Sequence, residues 1–587
     1  MCLAVARQQI HMRPIPQWII GLGVVLLAAS IHGRSQKPSS GVSKPQISQT
    51  SAGRFVDATE RLGVHFKEES PSTSKKYLLE TMGSGVALFD YDNDGRLDIF
   101  FSNGARIDDP MSKAAIPQKD SPKYWNRLYH QKPDGTFEDV TEKAGLAGAG
   151  YSTGVAVGDY DNDGYEDIFV AGFGGNALYH NNGDGTFTDI TAKAGVAGSG
   201  WSTSAAWIDY DNDGLLDLVV ARYMEWDFAD IFCGERREGY RAYCHPDIFK
   251  PVSPLLYHND GNGKFTELSH KARIDKPGKG LGIAIADYDH DGWVDIMIAN
   301  DAIPQYLFHN NGNGTFEEIG MVSGVAVDAS GTTFSGMGVD FEDYNNDGWA
   351  DVVITDLANQ RYALFANGGN GTFDYTTDNT GLGAITLLHS GWGVRFFDYD
   401  NDGWKDLFVA QSHVMDTIEV NQPHLHYREP PLLARSDHGK KFVDVSSESG
   451  EVFSQRWAGR AMAIGDINND GKIDVVVASA NGPAWVLMNE TPSVNHWITI
   501  KLIGVKSNRD GIGARVKVST SAGEQYATVS TAGSYQSSSD VRAHFGLGTE
   551  RVVKEIKVYW PSGIIQVLRN VSADQIQSVR EAAPSVT

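Results

Sequence analysis

One phrase constrains this chain more than any other: D-x-[DN]-x-D-G-x-x-D, written seven times. The copies begin at Asp90, Asp159, Asp209, Asp287, Asp343, Asp398 and Asp466. Their intervals of 69, 50, 78, 56, 55 and 68 residues fit a core unit of about 50 residues with insertions, as in a propeller or solenoid. Two further phrases recur in fixed order between them. Forms of "LYHN" stand at 128, 178, 256, 307 and 364, with weaker forms at 432 and 487. Forms of "TFEDVT" stand at 136, 186, 264, 315, 372 and 441. Turns such as "HNNGDGTF" join the two, and their Asn, Asp and Gly residues suit hairpins.

Short apolar runs such as "STGVAVGDY" and "DIFVAG" flank each acidic phrase, which makes four short strands per unit. Seven such units predict an all-β, seven-bladed β-propeller over 54–490. An open β-solenoid is the alternative, though its repeats are usually shorter. A phrase of the third kind, "RFVDAT" at 54–59, precedes the first acidic loop, and none follows the last. The offset predicts that the N-terminal strand completes the final blade and hides two sheet edges.

Within each loop the residue types point to a hard cation. Positions 1, 3, 5 and 9 supply side-chain oxygens, and position 6 is always glycine, which permits the sharp turn around an ion. The expected ligands are Asp90, Asp92, Asp94 and Asp98 in the first loop, and Asp159, Asp161, Asp163 and Asp167 in the second. They are Asp209, Asp211, Asp213 and Asp217 in the third, and Asp287, Asp289, Asp291 and Asp295 in the fourth. Asp343, Asn345, Asp347 and Asp351 serve the fifth, Asp398, Asp400, Asp402 and Asp406 the sixth, and Asp466, Asn468, Asp470 and Asp474 the seventh. Position 7 varies freely, as suits a backbone-carbonyl ligand: Arg96, Tyr165, Leu215, Trp293, Trp349, Trp404 and Lys472. An all-oxygen set in a flexible loop favours Ca²⁺ over zinc or copper, and over Mg²⁺, which prefers a tight octahedron.

Charge supports the same reading. The loops hold 26 of the chain's carboxylates against a net charge of -24. Seven Ca²⁺, at +2 each, would bring -24 to -10. Without cations the carboxylates of a loop repel one another. Asn345 and Asn468 each lose a charge, so the fifth and seventh sites are expected to be weaker. So acidic a chain is a poor match for nucleic acid or an anionic membrane.

The N-terminus reads as an export signal over 1–33, with Arg7 and Arg13 before the apolar run Trp18 to Ile31. The run is short for a membrane span, though an uncleaved anchor is the alternative. A Ser-, Gln-, Lys- and Pro-rich linker follows at 34–53. Signal removal would take Cys2 and leave Cys233 and Cys244, eleven apart, as one local disulfide or two free thiols.

The repeats resemble FG-GAP/VCBS repeats, the Ca²⁺-binding blades also found in integrin α-subunits. At 507–520 the chain reads "SNRDGIGARVKVST", at 543–548 "AHFGLG" and at 558–571 "VYWPSGIIQVLRNV". These segments resemble the ASPIC/UnbV domain. The combination, over about 54–575, resembles the cartilage acidic protein family and its bacterial relatives, with which the Cys233–Cys244 insertion also agrees. The resemblance implies a secreted, Ca²⁺-binding, non-enzymatic protein with poorly defined ligands. Read from the residues alone, 494–575 is a small β-sandwich-like or barrel domain with a tail at 576–587.

Other candidates carry less. Asn508, Arg509 and Asp510 form either a turn or a polar binding loop. His413, His424, His426 and His438 match no metal-ligand spacing. The histidines of "LYHN" read as part of the blade pattern. Tryptophans such as Trp201, Trp207, Trp293, Trp349, Trp392, Trp404 and Trp457 either pack the blades or line a central opening. The expected function is an exported Ca²⁺-stabilised scaffold that binds an extracellular protein or glycan through insertions at 102–126, 223–254 and 411–440. The rival is a polysaccharide-active enzyme or accessory subunit, which one loop unlike the others would favour.

Overall fold

A computed structural model of the chain describes residues 53–583 except Glu238. The expected signal segment and nearly all of the linker lie outside the described residues.

The three phrases build one unit. In the second, the run Tyr151–Gly158 leads into the acidic loop, and Asp167–Phe173 leads out of it. Ala177–Asn181 and Phe187–Asp189 then add the "LYHN" and "TFTDIT" strands to the same antiparallel sheet. The first two strands are buried along their whole length because both faces meet other sheets, so they read as continuous apolar runs. The fourth strand buries only its phenylalanine and leaves Thr188 and Asp189 exposed. The end of the third phrase is a clip. Asp189 Oδ1 accepts from the Thr191 N–H and hydroxyl, and Thr191 Oγ1 accepts from the Leu178 N–H at 2.9 Å. Asp139 and Thr141 repeat it on Leu128, and Asp57 and Thr59 on Val486.

Seven four-stranded sheets of this kind occupy the chain from Phe55 to Asn489. The innermost strand of each packs beside that of the next, and Gly459–Gly465 of the last packs beside Val86–Phe89 of the first. The ring is therefore a closed β-propeller. Its closure uses the N-terminal strand, since Phe55–Asp57 pairs with Trp485–Asn489 in the register Phe55 to Asn489.

Two more sheets follow. Arg515–Ser519 lies between Glu524–Thr528 and Val552–Tyr559, with Ile565–Ser572 at the edge. His496–Ile503 pairs with Ala543–Gly548 and, in parallel, with Gln575–Arg580. One apolar cluster including Ile498, Val516, Phe545, Ile556 and Val579 joins them. Residues 576–580 are thus strand rather than tail. They satisfy the second edge of His496–Ile503.

The C-terminal unit and the propeller are interlocked. Thr531–Ser539, "TAGSYQSSS", is buried throughout and fills the centre of the ring. Its backbone and hydroxyls bond the inner edges of the sheets. Ser538 exchanges bonds with Val86 and Leu88, and Ser534 with Val339. The carbonyl of Gln536 accepts from the Val155 N–H, and the hydroxyls of Ser537 and Ser539 accept from Met462 and Ile464. Buried inner edges need such partners, which accounts for the run of serines. Small residues face this segment: Gly282 approaches the Ser534 carbonyl, and Ser204 Oγ accepts from the Gln536 N–H at 3.1 Å. A Cβ on Gly85 would strike the Gln536 carbonyl oxygen. Tyr535 crosses the ring, donates to the Met82 carbonyl at 3.1 Å and packs edge-on against Trp392. The central opening considered as a place for exposed tryptophans is therefore occupied by the chain itself.

Candidate cation sites

The acidic loops join the first and second strands of every sheet and so lie together at one end of the ring. The connections between second and third strands, which carry the long insertions, lie at the other. The insertion read as 411–440 ends earlier, because Leu432–Ser436 is the third strand of its sheet. His438 belongs to the following hairpin at the acidic end, where it packs on Trp404.

Each loop is shaped by its own carboxylates. In the second loop Asp159 accepts from the N–H groups of Asp163 and Gly164 at 3.0 and 2.7 Å. Asp163 accepts from the Tyr165 N–H, and Asp167 from the Tyr160 and Asn181 N–H groups. Position 9 therefore ties the loop to the third strand, and the same pattern appears at Asp98, Asp217 and Asp295. These bonds use part of each carboxylate's capacity. Asp92 Oδ1 and Asp211 Oδ1 are buried atoms without a hydrogen-bond partner.

The loops gather their ligand atoms closely. One atom from each of Asp90, Asp92 and Asp98 lies within 4.8 Å of the others. Histidine joins in four loops. One atom from each of Asp92, Asp94 and His130 meets the same limit, as do Asp161, Asp163 and His180, then Asp211, Asp217 and His258, then Asp289, Asp295 and His309. Each Nδ1 lies 3.0–3.2 Å from the position 9 carboxylate and 3.4–3.6 Å from that of position 3. These histidines, read above as blade pattern alone, stand at the site. The signal was their fixed place after "LY", which Ala366, Arg435 and Met488 take in the last three sheets.

The electrostatics fit a bound cation. Burial pushes the carboxyls of Asp209 and Asp466 up to about 7 and those of Asp287 and Asp343 to about 6. At position 9 burial raises Asp98 to about 6 and Asp167, Asp217 and Asp295 to about 7. Asp351, Asp406 and Asp474 rise well above the carboxylate range for the same reason. Hydrogen bonds to Asp217 and Asp295 lift His258 and His309 to about 9. A multivalent cation among these groups would return the carboxyls to their charged form. The donors are mainly carboxylate oxygens, so the set suits a hard ion. Asn345 and Asn468 bring a neutral amide where the other loops have a carboxylate. Their Oδ1 atoms accept from the N–H groups of Asp347 and Asp470, and the Asn468 amide also donates to Asp470.

Position 7 is less free than its variability suggests. The rings of Tyr165, Trp293 and Trp349 cover Gly183, Gly312 and Gly369 of their own hairpins, and a side chain on any of these glycines would collide with them. Position 4 links the loops to one another. Asn93 Nδ2 donates to the Gly164 carbonyl, Asn162 to Gly214 and Asn212 to Gly292, at 2.8–3.0 Å. Asn346, Asn401 and Asn469 reach Gly403, Gly471 and Gly95 at 2.8–3.0 Å, the last closing the circle. Only His290 departs from this arrangement, and it stacks on Trp349 with ring centroids 4.0 Å apart. All seven position 4 residues have φ between 55° and 61°, a left-handed conformation that asparagine tolerates well.

The C-terminal unit docks on this end. Arg509 N–H donates to Asn162 Oδ1 at 2.7 Å, and Asp510 accepts from the Asp159 N–H at 2.8 Å. Asn508 holds the turn through Ile512. The trio thus combines a turn with a contact to the propeller. His544 and Arg542 reach Asn401 and Asn469. Cys233 and Cys244 form a disulfide within the insertion at the far end.

Comparison with known proteins follows the same divisions. The FG-GAP-like repeat family matches residues 90–170, 159–220, 229–298, 287–354 and 343–409, which together exceed half of the chain. The ASPIC and UnbV family matches 504–586. Cartilage acidic protein 1 of Xenopus tropicalis is 26% identical over 317 residues, covering 52% of this chain and 45% of the relative. Its Mus musculus counterpart is 24% identical over 327 residues, covering 54% and 47%. The chain spans about half the length of the curated relatives it matches. Among solved structures, the BP39L lectin of Burkholderia pseudomallei is 10% identical, with a TM-score of 0.40 over 70% of this chain and 97% of the lectin. The chain belongs to the FG-GAP-like repeat family and joins those repeats to an ASPIC and UnbV domain.

Proposed function

We propose that the protein is an exported scaffold, stabilised by up to seven Ca²⁺ ions, that binds an extracellular protein or glycan and does not catalyse a reaction. The observation that carries this reading is the near-equivalence of the acidic loops. The same carboxylates make the same backbone bonds in sheet after sheet. Ligands held so uniformly serve to fix the loops. Export is supported by the Cys233–Cys244 disulfide, which belongs in an oxidising compartment.

Recognition falls to the end opposite the ions, because the C-terminal unit covers part of the acidic end. The segments 102–126, 223–254 and 411–431 project there and expose Ile116, Phe232, Ile248 and Val420. A glycan and protein array probed with the full chain, with product analysis by mass spectrometry, tests the reading. Retained binding of an unaltered ligand is expected. A cleaved or modified glycan would favour the polysaccharide-active alternative.

A further inference from the structure

A cavity of about 340 Å³ opens at the insertion end of the ring, between the disulfide-bearing segment, the 411–431 segment and connections of the fourth and fifth sheets. Its size falls within the range of small-molecule sites. Met82, Leu281, Met337 and Met415 give it an apolar lining, with Trp392 among the aromatic walls. Trp392 is held by three neighbours. Tyr535 packs against its edge, Arg460 lies 4.0 Å from its ring centroid, and its N–H donates to the Ser412 carbonyl. The wall is thus fixed before any ligand arrives.

One acid breaks the apolar lining. Asp301 is 8% exposed, and its Oδ2 accepts from the Tyr223 hydroxyl at 2.5 Å. Among the described residues no lysine, arginine or histidine lies within 4.0 Å of it. Lys279 is turned to the Pro246 carbonyl and Asp247, and His245 stands at the mouth. The Tyr223 and Ser335 hydroxyls and the more distant charges of His245 and Lys279 compensate this buried carboxylate only in part, and a ligand that brings an ammonium group into contact gains the difference. We propose that this cavity binds an organic amine, with the ammonium group at Asp301 and an apolar body against Met82, Leu281, Met337 and Met415.

This deepens the reading of the insertion end as the recognition surface. The amine has two sources, a free small molecule or a lysine side chain of a partner. Calorimetric titration of the full chain with phenethylamine, 2-phenylethanol and a capped lysine peptide separates them. Phenethylamine is expected to bind at least tenfold more tightly than 2-phenylethanol, and Asp301→Asn to remove that preference. Binding of the peptide as well assigns the site to a protein partner, and its failure assigns it to a free amine. Equal binding of alcohol and amine, no binding of either amine, or an unchanged preference in Asp301→Asn overturns the proposal. If Asp301→Asn does not fold, Met415→Trp, which fills the cavity from the 411–431 segment, must abolish binding. Amine binding that survives it overturns the proposal. Array hits without amine binding would sink the proposal and leave the recognition reading intact. Amine binding without array hits would do the reverse.

Discussion

Asn212 shows what one residue contributes at the fourth position of an acidic loop. Its amide joins its own loop to the Gly292 carbonyl at 3.0 Å, and its φ of 56° is one that few side chains adopt without strain. Asn212→Gly should lose only the bond, about 1 kcal/mol. Asn212→Ala should lose the bond and add left-handed strain of about 1–2 kcal/mol. Urea midpoints for the pair test this, and equal losses would count against the strain component. A second residue gives a pH signature away from the acidic loops. Burial, with Arg460 nearby, holds the His413 imidazole down at about 4, against an ordinary 6.5. The unfolded chain takes up this proton below 6.5, so the contribution is intact above that pH and lost as pH falls towards 4. His413→Gln should therefore lose less stability than the native protein between pH 6.5 and 4, and parallel profiles would contradict the assignment. The carboxylate pattern was legible in the sequence because its chemistry is written locally, in nine residues. The role of position 4 was not, because its partner sits in the next repeat and an asparagine there reads equally as a turn residue.

At the scale of elements, the four-stranded unit and its closing N-terminal strand could be read from phrase order, since each strand carries its own period and turn. The segment 531–539 could not. A run of small and hydroxyl residues looks like a surface loop, and only the ring around it supplies the inner strand edges that those hydroxyls satisfy. The strand Gln575–Arg580 escaped for a related reason, since it pairs in parallel with a strand more than 70 residues earlier. Tyr535 is the anchor of the central segment, fully buried and bonded to Met82. Tyr535→Ala should cost about 3–5 kcal/mol, as for other large-to-small changes at buried aromatic positions. Tyr535→Phe should cost only about 1 kcal/mol for the lost hydrogen bond. Denaturant titration of both tests this, and a small loss for Tyr535→Ala would show that the segment does not hold the ring.

For the whole molecule, the two ends of the ring divide the work. One end gathers the acidic loops and is braced by the C-terminal unit through Asn162, Asn401 and Asn469. The other carries the insertions and a cavity whose walls rest on the central segment. On the proposed reading, cations held in the acidic loops stabilise the ring. Calorimetric melting of the full chain in Ca²⁺, after chelation and after Ca²⁺ is restored tests it most directly. Each occupied site contributes about 2.7 kcal/mol at a hundredfold excess over its Kd, so chelation should lower the Tm sharply and restored Ca²⁺ should recover it. A melting temperature that does not move through the cycle would contradict the account.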